Sequence, residues 1–169
     1  SAEWCIYLQP HVGGTRPDLA LVHPQAGVQL IEVKDYNLGA YNLSGDTWQV
    51  NTGEGLQDTR SPFDQVDEAR ESLFRILLPF AEEIRTEDPS LYGFVRAGVY
   101  FHDASREELK NVRSFAHRSL KGDASYYGLA ASSTLDVDIE ALIPILQYEN
   151  DKNPHVPKIE KRIEELGID

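Results

Sequence analysis

Two carboxylates and a lysine lie near the start of the chain, in an arrangement that suits metal-dependent hydrolysis of a phosphodiester. Thirteen residues separate Asp18 from Glu32, and Lys34 follows two positions later, at the end of the apolar segment 28–31. Side chains alternate along a strand, so Glu32 and Lys34 share one face. Charged groups beside a buried strand cost free energy unless they are compensated. A divalent cation and a phosphate would compensate them, and a simple Glu32–Lys34 salt bridge at a strand end is the competing interpretation.

A short hairpin would bring the two carboxylates together. Residues 18–22 and 28–34 are predicted to be its strands, and residues 23–27 (His-Pro-Gln-Ala-Gly) its turn. A five-residue loop places Asp18 opposite Glu32 on one face. A four-residue loop shifts the register by one and turns Asp18 to the other face. The sequence leaves both loops open, and the hydrolytic interpretation requires the longer one.

Further residues around this hairpin complete a family pattern. The pattern comprises Arg16-Pro17-Asp18, Gly27-Val28, Glu32-Val33-Lys34-Asp35-Tyr36, Tyr41, Trp48 and residues 61–65 (Ser-Pro-Phe-Asp-Gln). With these motifs, residues 4–100 resemble the PD-(D/E)XK nuclease superfamily, and they are most similar to its nuclease-related domain. The resemblance implies an α/β fold of the restriction-endonuclease-like type, with three layers and a central mixed β-sheet flanked by helices.

The resemblance also implies roles for individual residues. Asp18 and Glu32 would ligate Mg2+ or Mn2+, together with the backbone carbonyl of Val33. Lys34 would orient the attacking water and offset developing negative charge. Gln65, at the start of the following helix, would contact the water or a DNA phosphate, although an exposed polar residue in a first helical turn is equally common.

Besides a metal-dependent hydrolase that acts on RNA or nucleotides, two functions are compatible with this resemblance. The first is a metal-dependent DNA nuclease domain at the N-terminal end of a larger helicase-type protein of DNA processing or defence, since domains of this kind often precede superfamily 1 or 2 helicases. The second is a catalytically inactive module that docks DNA or protein for a helicase. The formal net charge of −12 favours the second, because Lys and Arg normally supply most non-specific affinity for nucleic acids.

The spacing of hydrophobic residues and the positions of turn and capping residues predict the remaining elements. A turn is expected at Gly13-Gly14, and a polar, mobile segment at residues 53–60. Residues 39–53 are expected to form a hairpin or loop with a turn at Gly45-Asp46, and Trp48 within it to pack on the sheet. The predicted strands cover residues 4–9, 92–101 and 126–131. One helix is predicted to begin with Ser61 as its cap and Pro62 at its first position, and others to cover residues 105–121, 136–146 and 157–166. Ser105 and Glu108 predict a capping box at the start of the second helix. Residues 1–150 are assigned to the nuclease-related domain, and residues 151–169 to a charged helix that links it to a downstream region.

The helix predicted at residues 105–121 carries the only concentrated positive charge. Arg106, Lys110, Arg113 and Lys121 recur at helical spacing and share one face, with His117 among them. One interpretation is a ridge that contacts DNA phosphates beside the site. The other is a solvated helix face that balances an acidic protein, and the sequence leaves both open.

Composition narrows the class of protein. No segment approaches the roughly 20 apolar residues of a membrane span, so no membrane partner is expected. We expect a cytoplasmic location. The single cysteine, Cys5, excludes an internal disulfide, and its apolar neighbours predict a buried strand thiol. The complete lack of methionine indicates that the chain is part of a longer polypeptide.

Overall fold

The computed structural model describes residues 4–77, 93–120 and 127–131, together with residues 157 and 161. Their order along the chain is β1 (Cys5–Leu8), β2 (Leu19–His23), β3 (Gly27–Lys34), β4 (Tyr41–Asn42), β5 (Gln49–Asn51), β6 (Leu56–Asp58), α1 (Pro62–Leu77), β7 (Val95–Phe101), α2 (Arg106–Ser119) and β8 (Tyr127–Ala131). A short 3-10 turn, Leu38–Ala40, precedes β4. The strand–helix–strand order predicted from the sequence is confirmed.

Five of these strands form one mixed sheet in the order β1-β2-β3-β7-β8. Strands β1, β2 and β3 pair antiparallel, whereas β3, β7 and β8 pair parallel. The connection from β3 to the parallel strand β7 contains α1, as parallel pairing requires a long crossover. The predicted α/β class, with a central mixed sheet and helices packed against it, is therefore confirmed.

The core lies where both helices meet the sheet. Trp48 is 2% exposed and its ring contacts Phe63 of α1, Phe101 of β7 and Phe115 of α2, with centroid separations of 6.4, 6.2 and 5.1 Å. Edge-to-face and offset-stacked rings at such separations stabilise a core beyond the area that they bury. The predicted packing of Trp48 on the sheet is confirmed, and both helices lie on the Phe101 side of it.

A second, smaller sheet joins β4, β5 and β6. The hairpin predicted around residues 39–53 corresponds to β4 and β5. The polar segment 53–60 contains a short strand that was not predicted, because Leu56–Asp58 pairs antiparallel with Gln49–Asn51. All three residues of β6 are exposed, so no hydrophobic alternation marks them as a strand.

Burial of Cys5 was also predicted wrongly. β1 is an edge strand and all four of its residues are exposed, including Ile6 and Leu8. The helices pack against β3, β7 and β8, away from β1, so nothing in those contacts covers it. The apolar composition of β1 therefore indicates a strand but not a buried one.

Several expectations fall elsewhere in the chain. Residues 136–146 and the charged residue Lys121 lie outside the described residues. Residues 157 and 161 have helical backbone, in line with the predicted helix 157–166, and the domain division at residue 150 stays a prediction. No helix in the described ranges is long and apolar enough to cross a membrane.

Candidate active site

The β2–β3 hairpin adopts the register that the hydrolytic interpretation requires. His23 pairs with Gly27 and Val22 with Val28, so residues 24–26 form the turn, and Leu19 pairs with Ile31 at the other end. Continuing this register by one residue places Asp18 opposite Glu32, and opposite residues project from the same face of an antiparallel pair. The register expected from the longer loop is therefore confirmed, although the turn itself is three residues long.

Asp18 is fixed at the point where the β2–β3 ladder ends. Its Oδ2 accepts a hydrogen bond of 2.8 Å from the backbone N–H of Val33, and its own carbonyl accepts one of 2.8 Å from Gln9. The N–H and C=O of one strand residue point towards the same neighbouring strand, so the carbonyl of Val33 faces the Asp18 side of β3. The carboxylate of Asp18 and this carbonyl are thus directed to one edge of the strand.

Glu32 and Lys34 form an ion pair in a largely buried position. The Nζ of Lys34 lies 2.5 Å from Oε1 of Glu32, and the two side chains are only 13% and 12% exposed. Nζ also donates a hydrogen bond of 2.8 Å to Oε1 of Gln65. Because a buried charge is costly without partners, these bonds explain how an acid and a base are tolerated on the central strand β3. This pair is not the surface salt bridge that the sequence allowed.

The first turn of α1 brings Gln65 to this pair. Ser61 accepts a hydrogen bond from the N–H of Asp64 with its side chain, and Asp64 accepts one from the N–H of Ser61, which caps the helix reciprocally. Pro62 occupies the first helical position, as predicted. Gln65 is half-buried and bonded to Lys34, so it is not merely an exposed polar residue.

Two tyrosines that follow β3 extend the site on the other side of Lys34. The Nζ of Lys34 lies 5.7 Å from the centroid of the Tyr36 ring, and Tyr36 stacks on Tyr41 with a centroid separation of 5.0 Å. Burial raises the pKa of the Tyr41 hydroxyl above its ordinary value, and the nearby Tyr36 and Asp35 raise it further. The ring of Tyr36 limits where the ammonium of Lys34 can lie, a role that the sequence did not reveal.

A cavity of about 220 Å³ opens beside Glu32 and Gln65. The cavity is also lined by the segment after a tight turn at Gly13 and Gly14, whose φ angles of 55° and 91° suit glycine. Three charged residues that sequence reasoning missed also line this cavity: Arg16, Arg60 and Glu68. Arg16 was visible only as a neighbour of Asp18, and no local pattern pointed to the other two.

The basic face of α2, which was one candidate for contacting DNA phosphates, has no polar contact with this site among the described residues. Arg106, Lys110 and Arg113 are exposed on α2, which packs against β8, whereas Asp18 lies beside β2 and β3. Lys110 pairs with Glu107 at 3.0 Å. No hydrogen bond or ion pair of the described residues connects these side chains to Asp18, Glu32 or Lys34.

The site could bind a metal ion through a few oxygen atoms, but the described residues do not provide a complete set of side-chain ligands. In the described part of the chain, no group of three or more His, Cys, Asp or Glu side chains could hold a metal. Asp18 and Glu32 each use one carboxylate oxygen in the bonds given above, and their other oxygens have no described hydrogen-bond partner. Two carboxylates and one carbonyl fit a hard ion such as Mg2+, which retains several waters.

The family model of the nuclease-related domain matches residues 2–102. The chain belongs to the nuclease-related domain family. No curated protein and no solved structure matches it. The segment shared with the nuclease-related domain runs from β1 to the end of β7 and contains Asp18, Glu32, Lys34 and Gln65, whereas α2 lies beyond it.

Proposed function

We propose that this nuclease-related domain is a metal-dependent deoxyribonuclease that hydrolyses phosphodiester bonds. The observation that carries the proposal is the position of Lys34, whose ammonium is bound to both Glu32 and Gln65 in a largely buried site beside Asp18. A lysine held in this way has little freedom to move, and preorganised charge is the main resource of an enzyme that stabilises a phosphoryl transition state.

Asp18, Glu32 and the carbonyl of Val33 are the groups that would hold Mg2+ or Mn2+. Such an ion, when bound, supplies a more acidic water and stabilises negative charge on the phosphoryl group. The N–H of Val33 orients the Asp18 carboxylate, which is the contribution of the chain itself. This division of roles fits the two carboxylate oxygens that have no described partner.

Lys34 and Gln65 would act on the water and the phosphate. The ammonium of Lys34 would offset negative charge that develops on the phosphate oxygens, and its hydrogen bond to Gln65 fixes its direction. Gln65 lines the cavity beside Glu32, where its amide can contact the attacking water. The substrate of this proposal is DNA, and the partner is a helicase or ATPase region of the same cytoplasmic polypeptide, linked through residues 151–169.

A second candidate function is docking of DNA or protein without catalysis. Glu32 and Lys34 neutralise each other, so the site is stable without any ligand. The net charge of −12 also opposes unaided binding to DNA. These two observations favour a docking module for a helicase.

The test is cleavage of supercoiled, linear duplex and single-stranded DNA with Mg2+ or Mn2+, with Glu32→Gln as the control. We expect cleavage that is lost in the control while the fold survives, and Mn2+ binding, followed by its paramagnetic signal, that weakens in the same variant. Absence of both cleavage and Mn2+ binding would establish the docking function instead. Cleavage that persists in Glu32→Gln would refute the assignment of the site.

A further inference from the structure

The cavity beside Glu32 is lined by two arginines, which come from different segments of the chain. Arg16 comes from the segment that leads into β2, and Arg60 from the residues just before α1. Both side chains are exposed. The guanidinium group is planar, permanently charged and well matched to phosphate oxygens, so two of them at one opening indicate a site for an anion.

The hydrogen bonds of the two arginines leave donors available. Arg16 uses only Nε, which donates to the carbonyl of Gln9 at 3.3 Å, and its two Nη groups have no partner among the described residues. Arg60 uses Nη2, which donates to the carbonyl of Asp64 at 3.0 Å and to a carboxylate oxygen of Glu68. Each arginine therefore retains part of its donor fork for a ligand.

The ion pair of Arg60 with Glu68 is weak enough for a ligand to replace. The two side chains are 50% and 52% exposed, and exposed pairs contribute at most about 1 kcal/mol. A backbone phosphodiester carries the same formal charge as the Glu68 carboxylate, and its two non-bridging oxygens can accept two hydrogen bonds from the guanidinium, whereas Glu68 accepts with one oxygen. Glu68 thus keeps Arg60 ordered over the cavity without blocking it permanently.

The lining of the cavity does not suit a nucleobase. The cavity of about 220 Å³ is smaller than typical sites for drug-sized ligands, and it contains no aromatic ring on which a base could stack. A cavity of this volume has room for one phosphate and its hydration. The sequence-independent part of a DNA strand therefore fits best.

We propose that Arg16 and Arg60 bind a backbone phosphate of the DNA strand next to the phosphate that is attacked at Glu32 and Lys34, and that Glu68 holds Arg60 until the strand arrives. This inference rests on the proposed nuclease function for the identity of the strand. It accounts for how an acidic domain engages a polyanion, because the two arginines are concentrated at the site. They are balanced there by Glu32 and Glu68, so the lining is formally neutral before a divalent cation is added.

The first experiment measures binding rather than cleavage. Fluorescence anisotropy of a labelled single-stranded and a labelled duplex oligonucleotide is followed in EDTA over a range of salt concentrations. We expect Arg16→Ala and Arg60→Ala each to weaken binding about 5- to 10-fold and to lower the slope of log K against log salt by about 0.7 to 0.9, the value for one lost phosphate contact. Arg75→Ala, at an exposed position in the last turn of α1, removes the same charge and should leave both quantities nearly unchanged.

The second experiment tests the part of the proposal that concerns Glu68. Glu68→Gln should tighten binding several-fold, because it frees Arg60, whereas Glu107→Gln should not. Glu107 is the matched control because it also pairs with a single cation, Lys110, at an exposed position. Equal tightening in both variants would show an effect of net charge alone and would overturn this role of Glu68.

The outcomes separate this inference from the nuclease proposal. Binding that depends on Arg16 and Arg60 without any cleavage would retain the phosphate site and refute the nuclease. Cleavage with unchanged binding in both arginine variants would retain the nuclease and refute the phosphate site, as would no measurable binding by the unaltered chain. In an active enzyme we further expect Arg60→Ala to raise KM with little change in kcat, because the contact is made in the ground state as well.

Discussion

At the scale of single residues, Lys34 connects three other residues of the candidate site. It pairs with Glu32, donates to Gln65 and lies over the ring of Tyr36. Removing one member of a buried ion pair leaves the other charge without compensation, which costs much more than the pair itself contributes. The ion pair therefore has a structural role that must be separated from any catalytic one.

Substitutions at Glu32 and Lys34 can separate these two roles. Lys34→Met should lower the free energy of unfolding by about 2 to 4 kcal/mol, because it leaves the Glu32 carboxylate buried without a partner. The double variant Glu32→Gln/Lys34→Met should recover most of that loss, since no buried charge remains, and should still be inactive in DNA cleavage. Urea unfolding of the single and double variants measures the coupling. Additive effects would mean that the pair contributes nothing to the fold.

The site could be predicted from the sequence only where the residues are close along the chain. Asp18, Glu32 and Lys34 belong to one hairpin, and only the loop length remained open, because its turn residues fit either register. In the structure, the Nδ1 of His23 accepts a hydrogen bond from the N–H of Gln25, and Gly27 adopts a positive φ, and these two features define the turn. The cavity, in contrast, joins segments that are distant in sequence, and no local pattern predicts which side chains will meet there.

At the scale of elements, the first turn of α2 is held by a complete capping box. The hydroxyl of Ser105 accepts from the N–H of Glu108, and the carboxylate of Glu108 accepts from both the hydroxyl and the N–H of Ser105. These bonds to Ser105 lower the pKa of Glu108 below its ordinary value of 4.5, chiefly through the hydroxyl. The sequence predicted this cap because its two partners are three positions apart.

The cap makes a part of the stability of α2 depend on pH. A carboxylate with a lowered pKa in the folded state contributes stability above its ordinary pKa, and this contribution is lost as the pH falls through the folded value. Glu108→Gln should therefore destabilise the chain at pH 7 but hardly at pH 3. Urea unfolding at both pH values measures the difference, with Glu107→Gln as the control in the same turn. A loss that is equal at the two pH values would contradict an ionic contribution of Glu108.

Strand β1 shows where reasoning about single elements fails. Its apolar residues predicted the strand correctly, but strand order places it at the edge of the sheet, and strand order depends on contacts between distant segments. We expect the thiol of Cys5 to react fully with a disulfide reagent while the protein is folded, because its side chain is exposed. The release of the coloured thiolate measures this reaction. Reaction only after denaturation would show that β1 is covered.

At the scale of the whole molecule, charge and shape have to be considered together. The chain has 28 acidic and 16 basic side chains, so its long-range field repels DNA. Two groups of cations oppose that field locally: the arginines at the cavity and the exposed face of α2. They differ in their relation to the nuclease-related domain, because the cavity lies within the shared segment and α2 lies beyond it. Only one of them is adjacent to Glu32.

Substitution of the α2 face decides whether it binds DNA or only balances the acidic surface. We expect Lys110→Gln/Arg113→Gln to change the affinity for duplex DNA by less than about twofold and to leave the salt slope unchanged, because Lys110 is already paired with Glu107 and α2 packs over β8, away from Asp18. The same titration of Arg60→Ala provides the comparison, since one lost phosphate contact lowers the slope by about 0.7 to 0.9. A slope lowered by nearly twice that value in the α2 variant would instead establish the phosphate-contacting ridge. DNA would then cross the sheet from β2 to β8, and the bound strand would extend beyond the segment that defines the family.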